Sequence, residues 1–245
     1  MKILVIDDNP LHQRSAVQTL GSDHELTVVS GHDEALKYLS PYYKDNFSDE
    51  VERLLRDRGL PSDSMDAQKV FDPKTDPKGW QSWKEAKKQA ELDVYHWDAV
   101  LSDLLMPAGR SKQGDVGKQY VGTEMPVGWA LAIQAALNGA KYVAVATDMN
   151  HHDHPASAML DGMIGSFNLH QARALFINHV LMIGLKDTAT GECSECSEGV
   201  YTANKGSKHE WTRVCNYCGG HGLECTESGK HWGKVLEEVM GSEEE

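Results

Sequence analysis

The chain has 245 residues, with 24 Lys and Arg against 37 Asp and Glu, for a formal net charge of -13. That length suits one ordinary domain with an appendage and a core that needs no disulfide staples. The acidity argues against nucleic acid or an anionic membrane as the main partner, because phosphate binding needs clustered Lys and Arg.

The first apolar run, Lys2 to Ile6, ends in Asp7 and Asp8. Two adjacent carboxylates cost energy unless solvent, a donor or a cation takes them up. A start this polar does not read as a cleavable signal, and no stretch approaches the roughly 20 apolar residues of a membrane span, so the expected compartment is the cytoplasm. Further unalternating runs follow at Leu26 to Val29, Asp98 to Ser102, Tyr142 to Ala146 and, more weakly, Met163 to Phe167. Such runs suit strands of a parallel sheet covered on both faces. Amphipathic stretches lie between them: Ala16, Val17 and Leu20; Ala35, Leu36 and Leu39; and Ala130, Ile133 and Leu137, the last closed by Gly139 as a helix C-cap. After Phe167, Leu169, Ala172, Phe176, Val180 and Ile183 fall at helical spacing behind a capping-box pattern of Asn168 and Gln171, which predicts a fifth helix. The expected fold is α/β, a five-stranded parallel sheet with helices on both faces and a ligand site outside the carboxyl ends of the strands.

The spacing breaks between Pro41 and His96, where an insertion predicted to be helical carries Trp80, Trp83, Ala90, Val94 and Trp97 along one face. A shorter polar excursion, Ala108 to Met125, lies beside the same strand ends as the carboxylates. It lacks the spacing of a phosphate-binding P-loop, since Gly117 and Lys118 lead into Gln119.

The third run repeats the logic of the first, placing Asp103 at its carboxyl end ahead of Met106 and Pro107. If the first and third runs are neighbours, Asp7, Asp8 and Asp103 converge on one pocket, an oxygen cluster suited to Mg2+. Thr147 ends the fourth run at the corresponding height. Together these residues resemble the receiver domain of bacterial two-component response regulators over about residues 1–186, the insertion at about 41–96 set aside. The resemblance implies a receiver or flavodoxin-like fold, Asp7 and Asp8 as the acidic pair that holds Mg2+ with Asp103, Asp103 as phosphoacceptor, and Thr147 as the hydroxyl that follows the phosphoryl group. It implies a histidine kinase or small phosphodonor as partner. Receivers also place a Lys at the end of the fifth strand. Here Phe167 and Asn168 stand where it is expected, and Lys112 and Lys118 are the nearest substitutes by sequence logic. Beyond Thr147, His151, His152 and His154 with Asp148 and Asp153 form a loop that is either solvated or a second metal or relay site.

All five cysteines lie between Cys193 and Cys225. Cys193 with Cys196, and Cys215 with Cys218, form two CxxC knuckles, whose tight turns present paired sulfurs to a tetrahedral ion. Residues 187–232 therefore read as a zinc-ribbon-like module, with Zn2+ on these four thiolates. Cys225 is spare, and His221 and His231 are weaker alternative ligands. The module carries four basic against seven acidic residues, about -3, which again argues against nucleic acid. Residues 233–245 read as a short, solvated amphipathic helix ending in an acidic tail.

The whole is expected to act in phosphorelay signalling through protein-protein contacts made by the insertion or the zinc module. The alternatives are a metal-dependent phosphatase or hydrolase using the same acidic pocket, and a non-phosphorylated scaffold.

Overall fold

A computed structural model describes residues 1–43, 46–111, 113–149, 154–163, 165–178, 180–203, 205, 211–215, 218 and 220–241. The chain opens with β1 (Lys2–Ile6), α1 (Pro10–Leu20), β2 (Glu25–Val29) and α2 (His32–Tyr38). The insertion follows as α3 (Phe47–Asp57), α4 (Ser64–Val70) and α5 (Pro77–Val94), then β3 (Ala99–Asp103). A hairpin of β4 (Met106–Pro107) and β5 (Glu124–Met125) leads to α6 (Val127–Asn138), β6 (Tyr142–Ala146) and α7 (Pro155–Leu160). Then come β7 (Phe167–Leu169), β8 (Ala172–Ile177), β9 (Met182–Gly184), β10 (Ala189–Glu192), β11 (Val200–Ala203) and β12 (Trp211–Val214). The chain closes through β13 (Leu223–Cys225), β14 (Ser228–Lys230) and α8 (Trp232–Met240).

The central sheet has six strands in the order β2-β1-β3-β6-β8-β7, parallel except for the edge strand β7. Alternation within each strand builds two cores. Leu4, Ile6, Val100, Val143 and Val145 face Leu131, Ala132 and Ala135 of α6. Ile3, Val5, Leu101, Ala144 and Ala146 face Ala16 and Leu20 of α1 with Trp232, Val235, Leu236 and Val239 of α8. Each such side chain, fully buried, contributes about 1.5–3 kcal/mol. In the insertion, Phe47, Val51 and Leu55 of α3 close on Ala90 and Val94 of α5 as a small separate core. Trp83 is buried and stacks on Trp80, while Trp97 joins the main core.

Three expectations are corrected. Met163 to Phe167 is not the fifth strand, and Asn168 to Gly184 is not a helix. Phe167–Leu169 and Ala172–Ile177 form an antiparallel hairpin turned at His170, whose φ of 58° is left-handed. Ala172, Ala174 and Phe176 enter one core and Leu175 reaches the other, a period of two that the helical reading missed because positions 172 and 176 also fit a helix. The sheet consequently has six strands instead of five. The terminal helix is not solvated either, since Trp232 and Val239 are fully buried against the sheet.

Candidate functional site

Register pairs Ile6 with Ser102 and Asp103 with Ala146, so Asp7, Asp103 and Thr147 leave their strands at nearly one height. Asp7, Asp103 and Thr147 are buried and Asp8 is exposed. Oxygens of Asp7, Asp8 and Asp103 lie within 4.8 Å of one another, so the structure brings these three residues together. The approach is close: a Cβ on Gly128, in the first turn of α6, would sit 1.9 Å from the Asp103 carbonyl oxygen. Only glycine lets that helix begin there.

Lys112, one of the two nominated lysines, lies outside the described residues, and Lys118 pairs with exposed Asp115 at 2.8 Å. The cation of the pocket is Lys230. Its Nζ donates to Asp7 Oδ2 at 3.0 Å and Asp103 Oδ1 at 2.5 Å, and lies 3.7 Å from Asp148 Oδ1. The side chain is fully buried. β14 carries it, held antiparallel to β9 and laid so tightly on α1 that a Cβ on Gly229 would meet the Leu11 carbonyl at 2.5 Å. The Ser15 hydroxyl lies 2.7 Å from both the Lys230 and the His12 carbonyl oxygens and shares its hydrogen between them, and Trp232 Nε1 donates to the His12 carbonyl at 3.1 Å. A lysine just before an amphipathic helix was the signal available in the sequence. It went unread because more than fifty residues, the cysteine module among them, separate β8 from Lys230.

The electrostatics are strained toward cations. Asp7, Asp8, Asp103 and Asp148 surround one ammonium. Burial, reinforced by Asp7, pushes Asp103 up to about 7 against the pull of Lys230. Partial burial and Asp7 beside it also raise Asp8. Lys230 is held above its ordinary value: burial opposes its charge, and Asp103 and Asp7 outweigh burial. Asp148 sits well below the usual carboxylate range because His12 donates to it and Lys230 is near. The Leu104 amide and Lys230 both donate to Asp103 Oδ1, and among the described residues no hydrogen bond to Oδ2 is seen. Thr147 Oγ1 accepts from the Met149 amide at 3.1 Å.

His151, His152 and Asp153 lie outside the described residues. His154 serves as the N-cap of α7, its Nδ1 accepting from the Ala156 amide at 3.1 Å.

The excursion after β3 is anchored from α2. Asp33 accepts from the Arg110 amide at 2.8 Å and the Ser111 amide at 3.0 Å, which lowers it from 3.8 to about 2. A depressed carboxylate contributes its stabilisation above its unfolded value and loses it as pH falls through the folded one. The Arg110 and Ser111 amide proton shifts should therefore be flat from pH 7 to 4 and titrate near 2. Asp33→Ala should speed exchange of both amides about fivefold at neutral pH, the worth of one ordinary hydrogen bond. Titration at the ordinary carboxylate value would contradict the anchor.

A second cluster lies in the cysteine module. The sulfurs of Cys193, Cys196, Cys215 and Cys218 all fall within 4.8 Å of one another. Cys193 to Cys215 is 4.0 Å and Cys196 to Cys218 is 3.6 Å. Tetrahedral zinc with sulfurs at about 2.3 Å implies edges of about 3.8 Å, so these four fit a metal such as zinc. Cys225 stands apart, 3.9 Å from His221 Nε2, and that nitrogen lies 2.9 Å from the Gly184 carbonyl. His231 caps α8, its Nδ1 accepting from the Lys234 amide. Among the described residues no helix is long and apolar enough to cross a membrane.

No family model, no curated protein and no solved structure matches this chain.

Proposed function

We propose that the chain is an atypical receiver-like signalling module that accepts a phosphoryl group on Asp103 with Mg2+ and carries a structural zinc site on Cys193, Cys196, Cys215 and Cys218. The observation that carries this reading is Lys230, an ammonium buried between Asp7 and Asp103 at the carboxyl ends of the parallel strands β2-β1-β3-β6-β8, which are the second, first, third, fourth and fifth parallel strands of the chain and so stand in the flavodoxin-like order. It supplies the acidic cluster with the ammonium that the receiver reading wants, from β14 beyond the cysteine module instead of from the end of the fifth strand.

The residues do the following work. Asp103 Oδ2 attacks the phosphorus of a phosphodonor, the bond to the leaving group breaks, and an acyl phosphate forms on Asp103 while the leaving group departs with the electron pair. Lys230 meets the added charge on one side and the Thr147 hydroxyl reaches the phosphoryl oxygens on another. Asp7, Asp8 and Asp103 supply the oxygens a hard divalent cation needs, and four carboxylates around one ammonium leave charge for it to offset. Mg2+, when bound, supplies neutralisation of the phosphoryl oxygens.

Output then runs through protein contacts, with a histidine kinase or small phosphodonor upstream. Incubation with a small phosphodonor and Mg2+ should label the wild type once per chain, and Asp103→Asn should abolish the label. Absence of any label with Mg2+ bound would favour a scaffold. Steady release of phosphate far beyond one equivalent would favour a hydrolase.

A further inference from the structure

His12 lies in the first turn of α1, 3% exposed, and nothing in the phosphoryl chemistry above uses it. Its ring touches two parts of the pocket at once. The Lys230 main-chain amide donates to Nδ1 at 3.2 Å, and Nε2 lies 3.2 Å from Asp148 Oδ2. The first contact fixes the tautomer: a nitrogen that accepts from an amide carries no hydrogen, so in the neutral ring the hydrogen sits on Nε2. Nε2 has two polar neighbours at 3.2 Å, Asp148 Oδ2 and Asn9 Nδ2, and only the carboxylate accepts. The other oxygen of that carboxylate, Oδ1, faces the Lys230 ammonium. Main chain, imidazole, carboxylate and ammonium thus form a closed ring of contacts through one residue and back to itself.

We propose that His12 is a positioning residue of this site, tying the main chain of Lys230 to the side chain of Asp148 so that the ammonium is held between Asp7 and Asp103. The assignment rests on the phosphoryl-acceptor reading only for its effect on labelling; the placement of Lys230 is tested separately. Among the described residues β14 is a three-residue strand paired with the equally short β9, so its ladder is small, and the imidazole adds to the hold that Ser15 and α1 have on the Lys230 main chain. Asp148, half exposed, would otherwise swing into solvent; the Nε2 hydrogen keeps it facing the ammonium.

The test compares His12→Ala, His12→Asn and His12→Gln in the full chain with zinc bound. An asparagine amide oxygen lies near the place of Nδ1 and restores the acceptor for the Lys230 amide; a glutamine amide lies nearer Nε2 and restores only the donor to Asp148. Acetylation of Lys230 by an amine-specific reagent, followed by peptide mass analysis, reads placement without phosphorylation. His12→Ala should acetylate about tenfold faster than wild type, with His12→Asn close to wild type and His12→Gln between them, and labelling by a small phosphodonor should slow about tenfold in His12→Ala and recover in His12→Asn. Nitrogen NMR of the wild-type ring should show Nε2 protonated and Nδ1 bare.

Equal Lys230 protection in all three variants would overturn the proposal, as would a wild-type ring protonated on Nδ1. The ring measurement decides even if the variants fail to fold. A wild type that never labels, yet loses Lys230 protection in His12→Ala and regains it in His12→Asn, would remove the phosphoryl reading and leave the positioning role standing.

Discussion

Replacing Lys230 by Met should destabilise the protein by about 3–5 kcal/mol in Mg2+-free buffer, the usual cost of removing one partner from a buried ion pair. Asp7 is fully buried and the Asp103 side chain is about 10% exposed, so water replaces the lost ammonium poorly at both carboxylates. The loss should depend on pH with a definite sign. Burial already raises Asp103 to about 7, and without Lys230 the folded state holds that proton more tightly still. A group that binds its proton more tightly when folded makes stability fall as pH rises above the unfolded value. The penalty should accordingly be smallest near pH 5 and grow toward pH 8. Adding Asp103→Asn to Lys230→Met should recover part of the loss, because one stranded carboxylate disappears; the shortfall from additivity measures the pair. Urea titrations of the two single variants and the double variant supply all three numbers. A Lys230→Met protein within about 1 kcal/mol of wild type, the value of an exposed pair, would show that the ammonium is not buried between the carboxylates.

The second large effect is expected from removing a metal held by the four clustered cysteines. The strands there are three or four residues long, and the buried residues of its own cluster are Cys193, Cys215 and Cys218. So small a core cannot offset the chain entropy, and structural zinc supplies about 10–16 kcal/mol of binding free energy in comparable modules. Purified protein should carry about one zinc per chain. Chelation should unfold the module between about residues 189 and 226 while the sheet and α8 remain, since Trp232, Val235, Leu236 and Val239 belong to the sheet's core. Cys215→Ser should lose the metal and Cys225→Ser should keep it, because Cys225 Sγ neighbours His221 and lies outside the four-sulfur cluster. Hydrogen exchange resolved by peptide, together with metal analysis, checks both statements. Equal zinc loss in the two variants would overturn the choice of ligands. The amides of β9 and β14 should also exchange faster without metal, because His221 and Cys225 pack against Gly184 and Gly184 pairs with Ser228.

The acidic pocket was legible because its parts are local. An unalternating apolar run predicts a buried parallel strand, and the residue after it must stand at the strand's end; Asp7, Asp103 and Thr147 need no further information to be placed. The CxxC pairs were legible for the same reason, since the ligand spacing of each knuckle is carried by four consecutive residues. Gly139 closes α6 at φ 118°, in the left-handed conformation that a C-cap glycine predicts. What the linear chain left undetermined were the choices settled by partners distant in sequence. Ala172 to Ile177 carries apolar residues at spacings that satisfy either a helix or a strand, and it became a strand because the edge beside β6 gave it a ladder and two cores to fill. The terminal helix, expected to be solvated, is instead part of the core, because Trp232 and Val239 cover the same sheet face as Ala16 and Leu20 of α1. Lys230 followed from the same choice. A lysine five residues after Cys225 has no local reason to be buried; it is buried because β14 lies on α1, Gly229 permits the approach, His12 and Ser15 hold the main chain, and Asp7 and Asp103 await a cation 223 and 127 residues earlier in the chain.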